Sequence, residues 1–369
     1  MNNSRGHQII KYLLKPLSWI YGAVAETRNW LFDHKVLPQQ EFDIPVVSVG
    51  NITVGGTGKT PHVEYLLDLL ATTYNTAVLS RGYKRDTKGF ILANSKSTPS
   101  SIGDEPLQIY RKYGSRVKVA VCENRRKGIY ELQRLFPKLD LIILDDGFQH
   151  RYVKPAVNIL LMDYNRPVYD DHLLPLGRLR EGAHNVSRAD MVIVTKVPDG
   201  LTPIKYRLVS KNLDLMPYQK LYFSNFSYGQ LQPVFPDDEP YRVSVDQLTA
   251  RDTVLLVSGV ANPRGFINHF KSYPFKKVIQ RFSDHHKFTR DELEKLESKF
   301  RHLSGERKII ITTEKDAVRL AYDPYYPAYL KPFTFYMPIH VRMVPGLEDS
   351  DLASDLRKGI DSHARSHDD

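Results

Sequence analysis

The stretch that decides the fold is IPVVSVGNITVGGTGKTPHVEYLLDLL, residues 44–70. Its apolar run at 44–49 predicts a strand, the glycine-rich segment 54–60 follows, and the pattern from residue 62 onward predicts a helix. A strand, a glycine-rich turn and a helix in this order direct several backbone N–H groups to one point, where the helix dipole adds partial positive charge. The stretch therefore predicts a phosphate-binding loop.

Within this loop, Lys59 is expected to reach the outer phosphates of a nucleotide, and Thr60 to offer its hydroxyl to a magnesium ion. The nucleotide-binding residues that the loop predicts are Thr53, Val54, Gly55, Gly56, Thr57, Gly58, Lys59 and Thr60. Thr53 departs from the usual pattern, which has glycine six residues before the lysine, and the loop resembles the double-glycine variety GGxGKT. A glycine-rich turn that binds nothing is the alternative, and Gly-Lys-Thr at a strand-to-helix junction argues against it.

Length and composition limit the class of protein. At 369 residues the chain is long enough for two domains, because single cores stop growing near roughly 250 to 300 residues. The 41% hydrophobic and 25% charged content is ordinary for a globular protein, and one cysteine, Cys122, excludes an internal disulfide and suits a reducing compartment. A net charge of +10 favours an anionic partner: nucleic acid, a phospholipid surface or a phosphorylated substrate.

The first 40 residues predict an amphipathic helix, because apolar residues recur at spacings of three and four: Ile10, Leu13, Leu17, Ile20 and Val24. The longest uncharged run is ten residues, at 16–25, about half of the roughly 20 that a spanning helix needs. We expect a helix lying in a membrane interface, with Trp19, Tyr21 and Trp30 at headgroup level. The residues expected to face anionic lipid are Lys11, Lys15, Arg28 and Lys35. A helix packed on its own domain is the alternative.

The pattern farther along the chain predicts two α/β domains. Between residues 41 and 220, six apolar runs alternate with helical stretches: VVSVG, NTAVLS, VKVAVC, LIILDD, NILLMD and MVIVTK. Such runs indicate a mainly parallel sheet covered on both faces, a three-layer α/β/α domain with the phosphate-binding loop. Alternating aromatic residues at 221–245 predict a β-ribbon linker, and renewed alternation at 246–345 predicts a smaller α/β domain. The polar tail at 346–369 is expected to fray.

Two acids end one of the predicted strands, LIILDD, at Asp145 and Asp146. A second strand of a phosphate-binding-loop enzyme presents a carboxylate to magnesium in this way, which favours hydrolysis or transfer over binding alone, although acids also end strands without a function. The GTPase patterns DxxG and [NT]KxD fail because Leu144 and Pro198 stand where they need aspartate. ATP is therefore preferred. A partition-type ATPase would carry lysine before the double glycine, where this chain has Val54.

Four polar clusters are candidates for a second substrate. In Gly-Asp-Glu-Pro, Asp104 is expected at a helix N-terminus, where it either caps backbone N–H groups or faces a ligand. His285 lies in Asp-His-His, a poor match to zinc sites. Arg180 and Glu181 lie in LPLGRLREG, a loop suited to phosphates and a metal, and Arg125 opens a helix in ENRRKG, which is either a binding site or a solvated face.

These motifs together resemble the tetraacyldisaccharide 4'-kinase family. VGGTGKT, SRGYKR, GDEP, ENRRKG, LDDGFQH, LPLGRLRE, SDHH and TEKDAV occur in that family's order, up to about Val318. The resemblance implies two α/β domains joined by a two-stranded β linker, and an N-terminal helix on the cytoplasmic face of the inner membrane. It also implies ATP- and magnesium-dependent phosphorylation of the 4'-hydroxyl of a tetraacylated glucosamine disaccharide 1-phosphate. A partition-type or regulatory ATPase is the second hypothesis.

The resemblance also assigns roles to residues. It implies that Asp104 is the general base and His285 its partner, while Lys59 and Arg180 neutralise charge during transfer. The residues with implied metal-related roles are Asp145, Asp146 and Glu181. Those with implied phosphate or substrate contacts are Arg125, Gln149 and Arg180. The expected partners are the acylated lipid and the inner-membrane surface, with no nucleic acid and no obligate protein partner.

Overall fold

The computed structural model describes residues 3–238, 240–284, 286–346 and 351–368, with the backbone alone at 3–13 and 366–368. The helices are α1 (Asn3–Asp33), α2 (Lys59–Leu70), α3 (Pro99–Ile102), α4 (Asp104–Tyr113), α5 (Arg125–Leu135), α6 (Pro203–Leu213), α7 (Arg264–His269), α8 (Arg290–Arg301), α9 (Glu314–Ala321) and α10 (Leu352–Asp368). The first eight strands are β1 (Val46–Gly50), β2 (Thr76–Ser80), β3 (Ile91–Leu92), β4 (Lys118–Val121), β5 (Leu141–Asp145), β6 (Val157–Asp163), β7 (Met191–Thr195) and β8 (Lys220–Tyr228). The remaining strands are β9 (Gln232–Pro233), β10 (Thr253–Ser258), β11 (Lys276–Arg281), β12 (Lys308–Thr313), β13 (Thr334–Met337) and β14 (Ile339–Val344).

A nine-stranded sheet forms the larger part of the molecule, in the order β14-β8-β7-β6-β1-β5-β2-β4-β3. Its pairings are parallel except where β3 meets β4 and β14 meets β8. Helices α2, α4 and α10 pack on one face, whereas α5 and α6 pack on the other. The prediction of a three-layer α/β/α domain with a mainly parallel sheet is confirmed. Val49 of β1 is in register with Asp145 of β5, so the loop and the acids share one edge.

A second, five-stranded sheet has the order β11-β10-β12-β13-β9, and only β9 is antiparallel to its neighbour. The structure differs from the expected boundaries here. Strand β8, expected in a separate ribbon, pairs with β7 in the large sheet, and β14, expected in the smaller domain, returns to pair with β8. The second domain is thus inserted between two neighbouring strands, and Gly229 N–H donates to the Pro338 carbonyl at 2.9 Å where they meet.

The expectation that 346–369 is a frayed tail is wrong for the part that the structure describes. Residues 352–368 form α10, whose Leu352, Leu356 and Ile360 are buried in the core of the large domain. Their spacing of four places them on one helical face, and burying that apolar face outweighs the polar composition of the segment. Gly359 permits the close approach, because a Cβ there would lie 2.6 Å from a methyl group of Val157.

Helix α1 packs on the large domain through small and polar residues and through Phe32, which is buried against Tyr152. Ser18 Oγ donates to the Leu173 carbonyl at 2.8 Å, and Asn29 is buried. Three apolar side chains of the predicted stripe are exposed instead: Leu17 by 54%, Ile20 by 63% and Val24 by 67%. The side chains of Ile10 and Leu13 lie outside the described residues. Within the described parts of the chain, no helix combines the length and apolarity that a bilayer crossing requires.

Candidate active site

The phosphate-binding loop leaves the end of β1 and enters α2 at Lys59. Gly55 and Gly58 have φ angles of +119° and +93°, in the left-handed region that glycine enters without a steric penalty. Gly58 is the N-cap of α2, so the unpaired N–H groups of the first helical turn face the loop. This is the backbone arrangement that binds phosphate.

The backbone of Thr53, the residue that departs from the common loop pattern, pairs with a neighbouring segment of the chain. It forms an antiparallel bridge with Leu179, and Val54 N–H donates to the Arg178 carbonyl at 2.8 Å. Next to this bridge, Arg180 N–H donates to the Ile52 carbonyl at 2.7 Å. The loop therefore begins as a short strand, a conformation for which glycine is unnecessary, and the pairing places Arg180 beside it.

Two residues that the sequence analysis missed hold the loop from behind. His62 is buried, with Nδ1 2.7 Å from the Gly58 carbonyl oxygen and Nε2 2.9 Å from Ser224 Oγ. Burial lowers the pKa of His62 to about 4, so the ring is neutral at pH 7. Lys196 Nζ contacts the Gly56 carbonyl oxygen and pairs with Asp163 at 2.6 Å. The sequence indicated Lys196 only as the lysine of the guanine-binding pattern [NT]KxD, which the chain does not complete.

Four of the predicted site residues meet at the edge of the sheet. Lys59 Nζ lies 3.5 Å from Asp146 Oδ1, and Arg180 Nη1 lies 3.4 Å from the same carboxylate and 3.2 Å from Gln149 Oε1. Burial acts to raise the pKa of Asp146, but Lys59 and Arg180 outweigh it and hold that pKa below its usual range. Asn51 is a site residue that was not identified from the sequence. Its Oδ1 accepts a hydrogen bond from Lys59 Nζ at 3.4 Å. Its only sequence signal is a polar residue directly after a buried strand.

Asp145 is buried, and its environment fits a cation. Oδ2 accepts from Ser80 Oγ at 3.3 Å, while Oδ1 is buried with no hydrogen-bond partner among the described residues. Burial, with Glu105 and Asp146 nearby, raises the pKa of Asp145 to about 7. A buried carboxylate oxygen without a donor is costly unless a positive group supplies the missing contact. Mg²⁺ takes one or two carboxylates together with water and phosphate oxygens, which matches this position.

Glu181 follows Arg180 and contacts α1, and its expected metal-related role stays a prediction. Its Oε2 accepts from Asn29 Nδ2 of α1 at 3.0 Å and pairs with Arg188. No group of three histidine, cysteine or acidic residues in the described part of the chain is arranged to hold a metal ion. Arg188 pairs with Oε2 of Glu181, whereas Oε1 of Glu181, like Oδ1 of Asp145, is buried with no hydrogen-bond partner among the described residues.

Arg125 is also placed differently from the expected phosphate or substrate contact. Its side chain is only 2% exposed, and its guanidinium donates to the carbonyls of Cys122 at 2.9 Å and Asp145 at 3.3 Å. Burial lowers the pKa of Arg125 to about 10, which still leaves the guanidinium charged at pH 7. The arginine therefore lies behind the strand ends and supports the backbone from which the Asp145 side chain projects.

Asp104 begins α4 and faces the second domain. Its Oδ2 accepts from Arg319 Nε at 2.7 Å, and the next residue, Glu105, pairs with Lys315 at 2.8 Å. The contact turns the carboxylate of Asp104 toward the second domain, and the catalytic role of Asp104 stays a prediction. Arg319 was missed as a site residue because nothing in its local sequence shows that it meets α4. His285, expected to be the partner of Asp104, lies outside the described residues.

Comparison with known proteins gives consistent matches over most of the chain. The family model described as "Tetraacyldisaccharide-1-P 4'-kinase" matches residues 10–360. A tetraacyldisaccharide 4'-kinase of Bacteroides thetaiotaomicron is 48% identical over 91% of this chain and 90% of the relative. One of Phocaeicola vulgatus is 46% identical over 94% and 95%. A crystal structure of LpxK from Aquifex aeolicus in complex with ATP is 27% identical, with a TM-score of 0.71 over 96% of this chain and 99% of that one.

Proposed function

Because the chain belongs to the tetraacyldisaccharide 4'-kinase family, we propose that the site described above moves the γ-phosphate of ATP onto the 4'-hydroxyl of a tetraacylated glucosamine disaccharide 1-phosphate. Family membership makes the chain an ATP-dependent kinase of lipid A biosynthesis. The observation that carries the proposal is the meeting of Lys59, Asp146, Arg180 and Gln149 beside the phosphate-binding loop.

In the proposed reaction, Asp104 takes the proton of the 4'-hydroxyl while the hydroxyl oxygen forms its bond to the γ-phosphorus. The bond from that phosphorus to the bridging oxygen breaks, and ADP leaves. A carboxylate is the ionised form of aspartate at neutral pH, so it can accept this proton. Lys59 and Arg180 are cations next to the loop, where they neutralise charge on the transferring group. His285 stays predicted as the partner of Asp104.

Asp145, Asp146 and Thr60 are the residues that would hold magnesium. The unpartnered Oδ1 of Asp145 supports this assignment, because a cation would satisfy it. When bound, Mg²⁺ neutralises charge on the β- and γ-phosphates. Arg125 is left out of the set that touches ligands, since its guanidinium is buried against backbone carbonyls. Glu181 stays predicted for a metal-related role, because its Oε1 is also buried without a hydrogen-bond partner among the described residues.

An acceptor assay tests the proposed activity. Purified chain with ATP, Mg²⁺ and the acylated disaccharide 1-phosphate is expected to give a doubly phosphorylated lipid on a chromatogram. Without the lipid, ATP hydrolysis is expected to be slow, because the proposed reaction needs the acceptor hydroxyl as its nucleophile. Rapid hydrolysis that does not depend on the lipid, with no phosphorylated product, would instead support the regulatory ATPase, which the comparisons do not favour.

We further propose that α1 rests on the cytoplasmic face of the inner membrane. Its outward face exposes Leu17, Ile20 and Val24 together with Trp19 and Trp30, a combination typical of helices in the membrane interface. Each basic residue near an anionic surface adds about 1 kcal/mol of attraction. Arg28, expected to face lipid, instead donates to the Gln149 carbonyl at 2.9 Å, so α1 also contacts the site itself.

Substitution of the exposed face is the sharpest test, because deleting α1 would also remove Asn29 from Glu181. The triple variant Leu17→Glu/Ile20→Glu/Val24→Glu should reduce binding to vesicles of anionic phospholipid by at least about 10-fold. The reason is that three apolar side chains expected to enter the lipid become charged. Flotation or sedimentation with vesicles measures this.

A matched control places glutamate at three exposed apolar positions of the second domain, Ile279, Tyr322 and Tyr325. This control should bind vesicles like the unmodified chain. If the α1 variant keeps its full vesicle affinity while its circular dichroism spectrum is unchanged, the helix serves only to pack on its own domain.

A further inference from the structure

We propose that Arg319, held in place by the buried carboxylate of Asp316, positions Asp104 for proton acceptance. The proposal rests on the role of Asp104 as the general base. It gives a purpose to the TEKDAV segment at 313–318, which the proposed chemistry otherwise leaves unused. Arg319 is a positioning residue in this account, because a guanidinium stays protonated in proteins and cannot take the proton itself.

The first step is the contact between the domains. Arg319 lies on α9 of the second domain, 215 positions from Asp104, and its Nε donates to Asp104 Oδ2 at 2.7 Å. The side chain of Arg319 is only 8% exposed and that of Asp104 16%, so little water competes for the pair. Bonds of this kind, between a guanidinium and a carboxylate, are short, strong and directional.

The second step is the anchor behind Arg319. Asp316 is fully buried, and one of its oxygens accepts from Arg319 Nη1 at 2.9 Å. Its other oxygen accepts from Gly259 N–H at 2.8 Å and Thr313 Oγ1 at 2.6 Å. The same Nη1 also donates to the Gly259 carbonyl at 3.1 Å. Asp316 is therefore tied to the end of β10 and to the start of α9, and cannot shift without breaking these bonds.

The geometry explains why an arginine is needed. Its planar fork offers Nε to Asp104 and Nη1 to Asp316, so both carboxylates are held by one rigid group. Fixing Oδ2 of Asp104 sets the plane of the carboxylate and thus the direction of Oδ1. Because a misplacement of about 1 Å can cost about 100-fold in rate, holding this plane matters for a base that must meet one hydroxyl. Correct placement of the base then depends on the second domain being docked.

The principal test measures steady-state kinetics of the full chain with ATP and the acylated disaccharide in detergent micelles. Arg319→Met should lower kcat by about 10-fold to 100-fold and leave KM for ATP within about twofold, because the phosphate-binding loop is untouched. Loss of the adjacent cation should also move the acidic limb of the kcat profile upward by about one pH unit. The profile is measured at saturating Mg²⁺ so that protonation of Asp145 does not set this limb. Arg319→Lys should keep a higher kcat than Arg319→Met because it retains the positive charge. It should still fall short of the unmodified chain, because a lysine cannot hold both carboxylates.

Lys315→Met is the matched control, because it removes the neighbouring ion pair between the domains without touching Asp104. It should keep kcat and the pH profile near those of the unmodified chain. If Lys315→Met lowers kcat as much as Arg319→Met, the effect belongs to general docking of the domains and the proposal fails.

Arg319→Met alone leaves Asp316 buried without its cation, which can prevent folding. The double variant Arg319→Met/Asp316→Asn removes both buried charges and keeps an acceptor for Gly259 N–H. Its loss of kcat and the shift of its acidic limb should equal those expected for Arg319→Met. Unchanged kcat and an unmoved limb in this folded variant would overturn the proposal.

A double-mutant cycle separates this proposal from the one on which it rests. If Arg319 acts through Asp104, Arg319→Met should add no further loss in an Asp104→Asn background. Full, additive losses would overturn the positioning role while leaving Asp104 as the base. An Asp104→Asn variant with near-normal kcat would overturn the base itself.

Discussion

The two sides of the site are built in different ways. The phosphate side lies within one domain: the loop between β1 and α2 is backed by His62 and bridged to Leu179, and it gains Lys59 from its own helix. The base side spans two domains, since Asp104 on α4 is held by Arg319 on α9. The phosphate side can therefore form without the second domain, whereas the base side is complete only when the domains dock.

This difference suits the order of events in a transfer reaction. A preformed loop can hold ATP while the base remains unable to act, which limits hydrolysis by water. Docking of the second domain is then expected to fix the orientation of Asp104 on the large domain, in the manner of enzymes whose closure completes the catalytic arrangement. Substitutions on the two sides are accordingly expected to separate catalysis from ATP binding.

The largest expected effect is on the base side. Asp104→Ala should lower kcat by about 100-fold to 10,000-fold, the usual contribution of general acid or base catalysis, with KM for ATP close to that of the unmodified chain. Steady-state kinetics with varied ATP measure both values. Arg111→Ala, at an exposed position of the same helix, is the control and should retain most of kcat. A near-normal rate for Asp104→Ala would leave Asp104 only a role in the ion pair between the domains.

A somewhat smaller loss, with the opposite signature, is expected on the phosphate side. Lys59→Met should lower kcat by about 100-fold to 1,000-fold, the range for removing one electrostatic group at the transition state, and should also weaken ATP binding. Calorimetric titration with ATP checks the second effect. Lys138→Met, an exposed lysine remote from the loop, serves as the control. Unaltered ATP affinity in Lys59→Met would remove the contrast between the two sides.

The smallest expected effect concerns pH and Asp145, whose pKa is raised from its ordinary value of 3.8 to about 7 by burial, Glu105 and Asp146. Protonation competes with a metal ion, so apparent Mg²⁺ affinity should fall up to about tenfold per pH unit below pH 7.

The free energy of unfolding of the metal-free chain should depend on pH in the opposite direction. The folded chain holds the proton of Asp145 more tightly than the unfolded chain, so metal-free stability should fall as pH rises from about 4 to about 7.

Thermal unfolding in a chelator and Mg²⁺ titrations at several pH values measure these two dependences. Asp145→Asn is expected to flatten the stability difference between pH 5.5 and 7.5 and to abolish the pH dependence of Mg²⁺ binding along with most of that binding. The same pH dependence in Asp145→Asn as in the unmodified chain would assign the titration to another group.

The features that follow from contiguous sequence were predictable. The order of strand, glycine-rich turn and helix at 44–70 specifies the loop, and LIILDD identifies the acids at the same sheet edge. The helix α10 was also open to prediction, because Leu352, Leu356 and Ile360 recur every four residues, but the polar composition around them suggested a frayed tail. Local periodicity was the better guide there, since a buried apolar face decides whether a helix docks.

Other features depend on tertiary contacts, which a single sequence does not reveal. Strand β14 pairs with β8 across 111 positions at Ile339 and Tyr228, and Arg319 meets Asp104 across 215. Arg125 shows a related difficulty, because its residue type suited phosphate binding while its guanidinium is turned toward backbone carbonyls. Sequence indicates which groups are charged, and the fold decides where each charge points.

The insertion of the second domain between β8 and β14 has a consequence for biosynthesis. A ribosome makes the chain from the N-terminus, so the whole insertion emerges before the edge strand β14 and before α10. The insertion begins and ends at one point, where Gly229 meets Pro338, and it has a hydrophobic core of its own. It can therefore fold as a unit on the nascent chain. Until Leu352, Leu356 and Ile360 arrive, the apolar surface that they cover stays open to chaperones.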